Sequence, residues 1–246
     1  MSADETFVEH GAHLMLAAGE RAEKPTPNWF DPAEWRRAGA VAIETSGRGE
    51  VLIVAHGDET WVLRHYRRGG LVARVIDDHY VWLGPERTRA FREWRLLRSL
   101  RAAGLPVPNP VAAHVYRTGV IYTADIITSY LRDTRKLSWF IAQGTLPAGC
   151  WRRIGAMIRG FHDHGVDHPD LTAHNVLLDD AGNAFLVDFD NALIKPPGDW
   201  QRAGVERFNR SLRKVALETG TDFDAEAWAE VEAGYAAAGS ARLGLE

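Results

Sequence analysis

The stretch from His162 to Asn191, HDHGVDHPDLTAHNVLLDDAGNAFLVDFDN, constrains this chain more than any other. Residues 175–178 and 184–188 flank the polar segment 179–183, the pattern of a β-hairpin turning near Ala181. Antiparallel pairing about that centre sets residue 175 opposite about residue 187, so Asn175 and Asp188 meet at the open end of the hairpin. Asp170 stands upstream in a loop, free to lean over the same point. A carboxylate and an amide oxygen converging there suit Mg2+, a hard cation that takes oxygen ligands and keeps waters or phosphate oxygens. A further Asp suits a base, or an orienting group, for a hydroxyl nucleophile. His162, His164, His168 and His174 also raise a zinc reading. However, 162 and 164 point to different helix faces, and no Cys supports them.

The rest of the chain supplies a fold around this stretch. Three strands are expected over 40–44, 50–55 and 61–66, separated by glycine-bearing turns. A helix follows from Glu86 to about Ala103, with Phe91, Trp94, Leu97 and Leu100 on one stripe. Gly104 and Pro106 end it. A short buried strand is expected at 120–123 and a second helix at 147–164, with Trp151, Ile154, Ile158 and Phe161 facing inward. A C-terminal helix from about Thr221 would bury Trp228, Val231 and Tyr235. Residues 1–38, with Pro25, Pro27 and Pro32, are expected to form an irregular lead-in. Strands lead and helices follow, which suits an α+β protein of two lobes. A β-rich N-lobe would span 39–128 and a mostly helical C-lobe 129–246, a length sufficient for a sizeable core.

Charge excludes several classes. With 29 basic and 33 acidic residues the chain is not a globally basic nucleic-acid binder. Residues 61–101 nevertheless carry ten arginines against four acids, while 216–246 carry seven acids against one arginine. The first is either a solvated helix face or an anion-facing surface for phosphate, an acidic sugar or anionic lipid. The sole cysteine, Cys150, excludes an intrachain disulfide and points to a reducing compartment. Asp4, Glu5 and Glu9 precede any apolar run, unlike a secretory signal, and the run 51–55 is far short of the ~18–20 residues that span a bilayer. A soluble or at most peripheral protein is expected.

His168-Pro169-Asp170-Leu171 with Asn175 resembles the H-R-D-L-x-x-x-N catalytic loop of protein-kinase-like enzymes, and Asp188-Phe189-Asp190 resembles D-F-G. Gly47-x-Gly49-x-Val51 sits where a phosphate-covering flap would, although a plain hairpin turn uses the same glycines. Such enzymes keep a phosphate-holding lysine on the third strand. Here no lysine lies between 24 and 136, and Arg64 takes the matching place, with a planar fork instead of a point charge. Glu93 matches the glutamate that pairs with that cation. No A-P-E element follows Asp188, and 58 residues remain after it, so a small acceptor or headgroup is expected.

VLRHYRRGGLVAR (62–74), ERTRAFREWRLL (86–97) and DLTAHNVLLD with LVDFDNA (170–179, 186–192) resemble the 3-deoxy-D-manno-octulosonic acid (Kdo) kinases of Gram-negative bacteria, over roughly residues 30–215. The resemblance implies a protein-kinase-like two-lobed fold, with ATP entering between the lobes under Gly47 and Gly49. It implies Asn175 and Asp188 on Mg2+, Arg64 and Glu93 at the phosphates, and Asp170 at the acceptor hydroxyl. The implied acceptor is the Kdo 4-hydroxyl of Kdo-lipid IVA. The implied place is the cytoplasmic face of the inner membrane, by peripheral contact with its anionic surface. The basic segment 195–214 would also meet the acceptor, or else form a solvated helix face. A lipopolysaccharide heptose kinase, another small-molecule phosphotransferase and a nucleotide-binding scaffold without activity stay open.

Overall fold

The computed structural model describes residues 5–45, 51–67 and 78–243. The chain divides into two compact units, Met1–Ser99 with Pro108–Tyr130, and Leu100–Val107 with Leu131–Glu246.

The first unit holds β1 (Glu5–His10), β2 (His13–Ala18), α1 (Pro32–Arg37), β3 (Val41–Thr45), β4 (Val51–His56), β5 (Glu59–His65), β6 (Tyr80–Val81), α2 (Arg89–Ala102, its last turn assigned to the second unit), β7 (Pro110–Thr118) and β8 (Ile121–Ser129). Among the described residues the strands form one antiparallel sheet, ordered β1-β2-β7-β8-β5-β4-β3, with β6 on β8. Alternation along β4 and β5 sends Leu52, Val54, Trp61 and Leu63 to one face. There they meet Trp29, Phe30 and Trp35, which the segment around α1 lays over the sheet. The Asp31 side chain accepts from the Ala33 N–H at 2.8 Å and starts α1, with Pro32 in its first turn.

The irregular lead-in expected over 1–38 is not found among the described residues 5–38. Pro27 opens a 3-10 helix and Pro32 opens α1, and Leu14–Ala18 are buried because β2 pairs with both β1 and β7. The strand expected at 120–123 also differs: it begins at Ile121 and runs to Ser129, and Val120 is 78% exposed at its edge. Its partner β7 was not foreseen, since proline-rich and alanine-rich stretches carry little strand propensity of their own.

On the other face of the sheet, α2 presents the expected stripe. Phe91, Trp94, Leu97 and Leu100 are all buried, and Phe91 meets Phe7 edge-on at 6.2 Å. Part of the arginine-rich segment is neutralised internally. Arg95 pairs with Glu5 at 3.1 Å and with Glu86, and Arg98 pairs with Glu20 at 3.1 Å. These arginines tie α2 to the N-terminal strands.

The second unit holds β9 (Thr134–Lys136), α3 (Leu137–Gln143), α4 (Cys150–Asp163), β10 (Val166–Asp167), β11 (Val176–Asp179), β12 (Ala184–Leu186), β13 (Leu193–Ile194), α5 (Asp199–Thr219) and α6 (Ala225–Leu243). In this unit β11 lies between β9 and β12, and β10 pairs with β13. Helices α4 and α6 approach closely. A Cβ on Gly155 would fall 2.0 Å from the Val231 carbonyl oxygen, and one on Gly234 would fall 2.0 Å from that of Arg152. Only glycine permits that approach. A sheet unit followed by a mostly helical unit is the expected α+β organisation.

Candidate functional site

In the first unit, β5 places Arg64 on the face that meets α2. Its Nη2 donates to both carboxylate oxygens of Glu93 at 2.6 Å. Glu93 is 3% exposed, so its charge needs a partner. The Tyr66 hydroxyl supplies a further bond to Glu93 at 2.5 Å, and the Arg64 guanidinium lies 4.9 Å from the Tyr66 ring centre. Arg64 and Glu93 are thus brought together, and Tyr66 joins them. Tyr66 escaped the sequence reading, although it follows Arg64 by two residues, just past the end of β5, a spacing that in extended chain puts both side chains on the same face. Gly47 and Gly49 lie outside the described residues.

The opposite face of the same sheet carries a chain of ionisable groups that no local pattern signalled. His13 bonds His114 at 2.9 Å, His114 bonds Asp125 at 2.9 Å, and Asp125 bonds His65 at 2.7 Å. His65 then reaches Asp78 at 3.3 Å. Burial opposes the Asp125 charge, but the hydrogen bonds from His114 and His65 outweigh it and hold its carboxyl below the usual range. The bond to Asp125 pushes the His65 imidazole up. His13, at the far end, is pushed down by burial and by the neighbouring His114.

In the second unit the hairpin register is the expected one. Val176 pairs with Leu186, and the Val187 N–H donates to the Asn175 carbonyl at 3.0 Å. Asp188 thus begins where the pairing ends. Its φ of 67° lies in the left-handed region, which Asp tolerates better than most residues. The neighbouring Phe189 is buried and anchors this turn, 4.9 Å from the His168 ring and 5.7 Å from the Phe161 ring. Asn175 turns its amide toward the preceding loop, donating to the Asp170 carbonyl at 2.9 Å and to Asp170 Oδ2 at 2.8 Å. That orientation leaves Asn175 Oδ1 as the amide's acceptor. Asn175 Oδ1 and the Asp188 carboxylate are the oxygens that could hold a divalent cation. No cluster of three or more His, Cys, Asp or Glu side chains suited to a metal occurs among the described residues. Two protein oxygens completed by phosphate and water fit the coordination habit of Mg2+.

His168 links the two halves of this loop. Its Nε2–H donates to the Val187 carbonyl at 3.2 Å, while the buried Nδ1 finds no partner among the described residues. Burial pushes this imidazole down, against the pull of the Val187 carbonyl and of the Asp188 and Asp170 carboxylates. It is a neutral packing residue. The other histidines each take a separate partner. His162 bonds the Tyr235 hydroxyl at 2.8 Å, His164 bonds the Gly160 carbonyl at 2.8 Å, and His174 bonds Ser138 Oγ at 3.1 Å. Burial lowers the His162 pKa to about 4. Among the described residues, no helix is long and apolar enough to cross a membrane.

This geometry can be set beside known proteins. The profile of the lipopolysaccharide kinase (Kdo/WaaP) family matches residues 33–235. A 3-deoxy-D-manno-octulosonic acid kinase of Vibrio parahaemolyticus is 37% identical over 199 residues, 81% of this chain and 84% of that protein. One of Stenotrophomonas maltophilia is 37% identical over 229 residues, 92% of this chain and 90% of that protein. One of Xylella fastidiosa is 42% identical over 214 residues, 87% of this chain and 85% of that protein. Among solved structures, the bifunctional kinase-methyltransferase WbdD aligns with a TM-score of 0.49 at 14% identity, over 81% of this chain and 47% of that chain, too distant to bear on the chemistry. A match that begins in α1 and runs through the 168–188 loop and hairpin into α6 makes this chain a member of the lipopolysaccharide kinase (Kdo/WaaP) family.

Proposed function

We propose that this chain transfers the γ-phosphoryl group of ATP to the 4-hydroxyl of Kdo on Kdo-lipid IVA, in assembly of the lipopolysaccharide core. The observation that carries the phosphoryl-transfer reading is the pair of hydrogen bonds that the Asn175 amide donates to Asp170, beside a hairpin end that delivers Asp188. Family membership and the names of the relatives support Kdo as the sugar that is phosphorylated.

Asp170 orients the sugar hydroxyl and takes its proton as the oxygen attacks the γ-phosphorus. The new P–O bond forms as the bond to the β,γ-bridging oxygen breaks, and ADP departs with the electron pair. Asn175 and Asp188 would hold Mg2+, which supplies charge neutralisation on the phosphates when bound. Arg64, backed by Glu93 and Tyr66, meets the nucleotide phosphates, and Gly47 and Gly49 belong to the segment that covers them. Catalysis is then mainly positioning and charge neutralisation. The arginine-rich segment 61–101 and the basic segment 195–214, Arg207 aside, complement a carboxylate sugar and lipid phosphates. They fit peripheral work at the anionic cytoplasmic face of the inner membrane.

The test is labelled ATP with a panel of Kdo-lipid IVA, heptosylated lipid A and aminoglycosides. Label on Kdo alone is expected. Label on heptose replaces the acceptor while keeping the chemistry. Mg-ATP binding with no label on any acceptor overturns phosphoryl transfer in favour of a scaffold.

A further inference from the structure

The loop that carries Asp170 is held from outside by α5. Arg207 and Ser211 stand one turn apart on that helix, and so share a face. Arg207 Nη1 donates to the His168 carbonyl at 3.3 Å. Ser211 Oγ accepts from the Ala173 N–H at 3.1 Å. The two bonds bracket Asp170, one on each side. The rotation of α5 is fixed by its apolar stripe, since Phe208, Leu212 and Val215 are buried. The face that meets the loop is therefore not free to turn.

The bracketed groups differ in their need. The His168 carbonyl also accepts from the Leu171 N–H at 3.2 Å, so Arg207 is its second donor. Ala173 is fully buried, and its N–H points to Ser211. Its carbonyl is held from another side, accepting from the Ser138 N–H at 3.1 Å at the start of α3. Between these anchors the side chain of Asp170 is fixed by the Asn175 amide alone among the bonds described above. A small loosening of either anchor moves a carboxylate whose value lies in its distance to a hydroxyl.

We propose that Arg207 and Ser211 are positioning residues for phosphoryl transfer: α5 clamps the 168–173 loop at both ends and so sets the reach of the Asp170 carboxylate. This rests on the role given to Asp170 above. Neither residue touches substrate in this scheme, and neither is assigned to the metal or the nucleotide.

The experiment compares Ser211→Ala, Ser211→Thr, Arg207→Met and Arg207→Lys in the full chain. Three quantities are read: turnover, KM for ATP, and hydrogen exchange of the Ala173 amide by NMR. Ser211→Ala should lower kcat ~10-fold with KM for ATP held within about twofold, and should speed Ala173 exchange by a similar ~10-fold. Ser211→Thr, which keeps the hydroxyl, should restore both. Arg207→Met should lower kcat by a comparable ~10-fold, with partial recovery in Arg207→Lys or on adding guanidinium. Faster Ala173 exchange with unchanged kcat overturns the proposal, as does a rise in KM alone. Should Arg207→Met not fold, Ser211→Ala, which deletes one oxygen, decides the matter. The two readings fail separately. If the wild-type chain labels no Kdo acceptor, the acceptor assignment falls, and the clamp is still judged on Mg-ATP hydrolysis to water, where an unchanged Ser211→Ala rate overturns it.

Discussion

The two units treat charge in opposite ways. In the first, each buried acid arrives with its own partners: Glu93 with Arg64 and Tyr66, Asp125 with His65 and His114. In the second, the bonds described for Asp170 come from a neutral amide, and the buried histidines beside the loop are held neutral. The difference follows exposure. A carboxylate that is 3% exposed must be paired at all times, because an uncompensated buried charge is costly. Asp170 and Asp188 are exposed, where solvent screens a carboxylate. In the function proposed above, one region is built before the substrate comes and the other is completed by it.

The largest effect should come from the exposed region. Asp170→Ala is expected to lower kcat by ~10²–10⁴-fold while leaving Mg-ATP affinity nearly intact. Asp188→Ala should instead weaken Mg-ATP binding directly. Single-turnover transfer and calorimetric titration separate the two, and near-normal turnover in Asp170→Ala would end the assignment. Asp170→Ala should cost little stability, within about 0.5 kcal/mol, and Asp188→Ala about 1 kcal/mol, because it sets an alanine at φ 67°.

The buried region should behave in the reverse manner. Arg64→Met strands the Glu93 carboxylate and should cost about 3–5 kcal/mol in urea unfolding, with part recovered in the Arg64→Met, Glu93→Gln double variant. If Arg64→Met proved as mild as Asp188→Ala in stability, the contrast between the units would not hold.

The subtlest test is pH. His162 is held near 4, below its ordinary value, so its neutral form favours the folded second unit above pH 6.5. That contribution is lost as pH falls from about 6.5 toward 4, by at most about 3 kcal/mol. His65 has the opposite sign. Its pKa is raised, mainly by the bond to Asp125, so its contribution is complete below 6.5 and is lost as pH rises through the raised value. Acidification from pH 7 to 5 should therefore loosen α4 and α6 while tightening β5 against β8. Amide exchange at the two pH values, corrected for intrinsic rates, reads this directly. His162→Gln should weaken the response of the second unit alone, with His168 leaving a residual of the same sign. A parallel response of both units would contradict the assignment of the two histidines.

The features legible in the sequence share a short range. The pairing of residue 175 with 187 needs only a turn between two apolar runs, and Val176 against Leu186 realises it. The α2 stripe needs only the helical period. The Arg64–Glu93 pair came from a family pattern, and 29 residues separate its members. The polar face of the sheet was out of reach: His13 and His114 lie 101 residues apart, and nothing local marks either. β1 and β2 were missed for a related reason. Their burial comes from a strand that begins at Pro110.

The loop and hairpin from His168 to Asp188 were settled by the order of residues alone, because turn chemistry and side-chain alternation act over a few positions whatever surrounds them. Which groups hold that loop still was settled only by the folded chain. The bonds of Arg207 and Ser211 to residues 39 and 38 positions away exist because α5 packs there, and no local periodicity encodes the packing of one element on another.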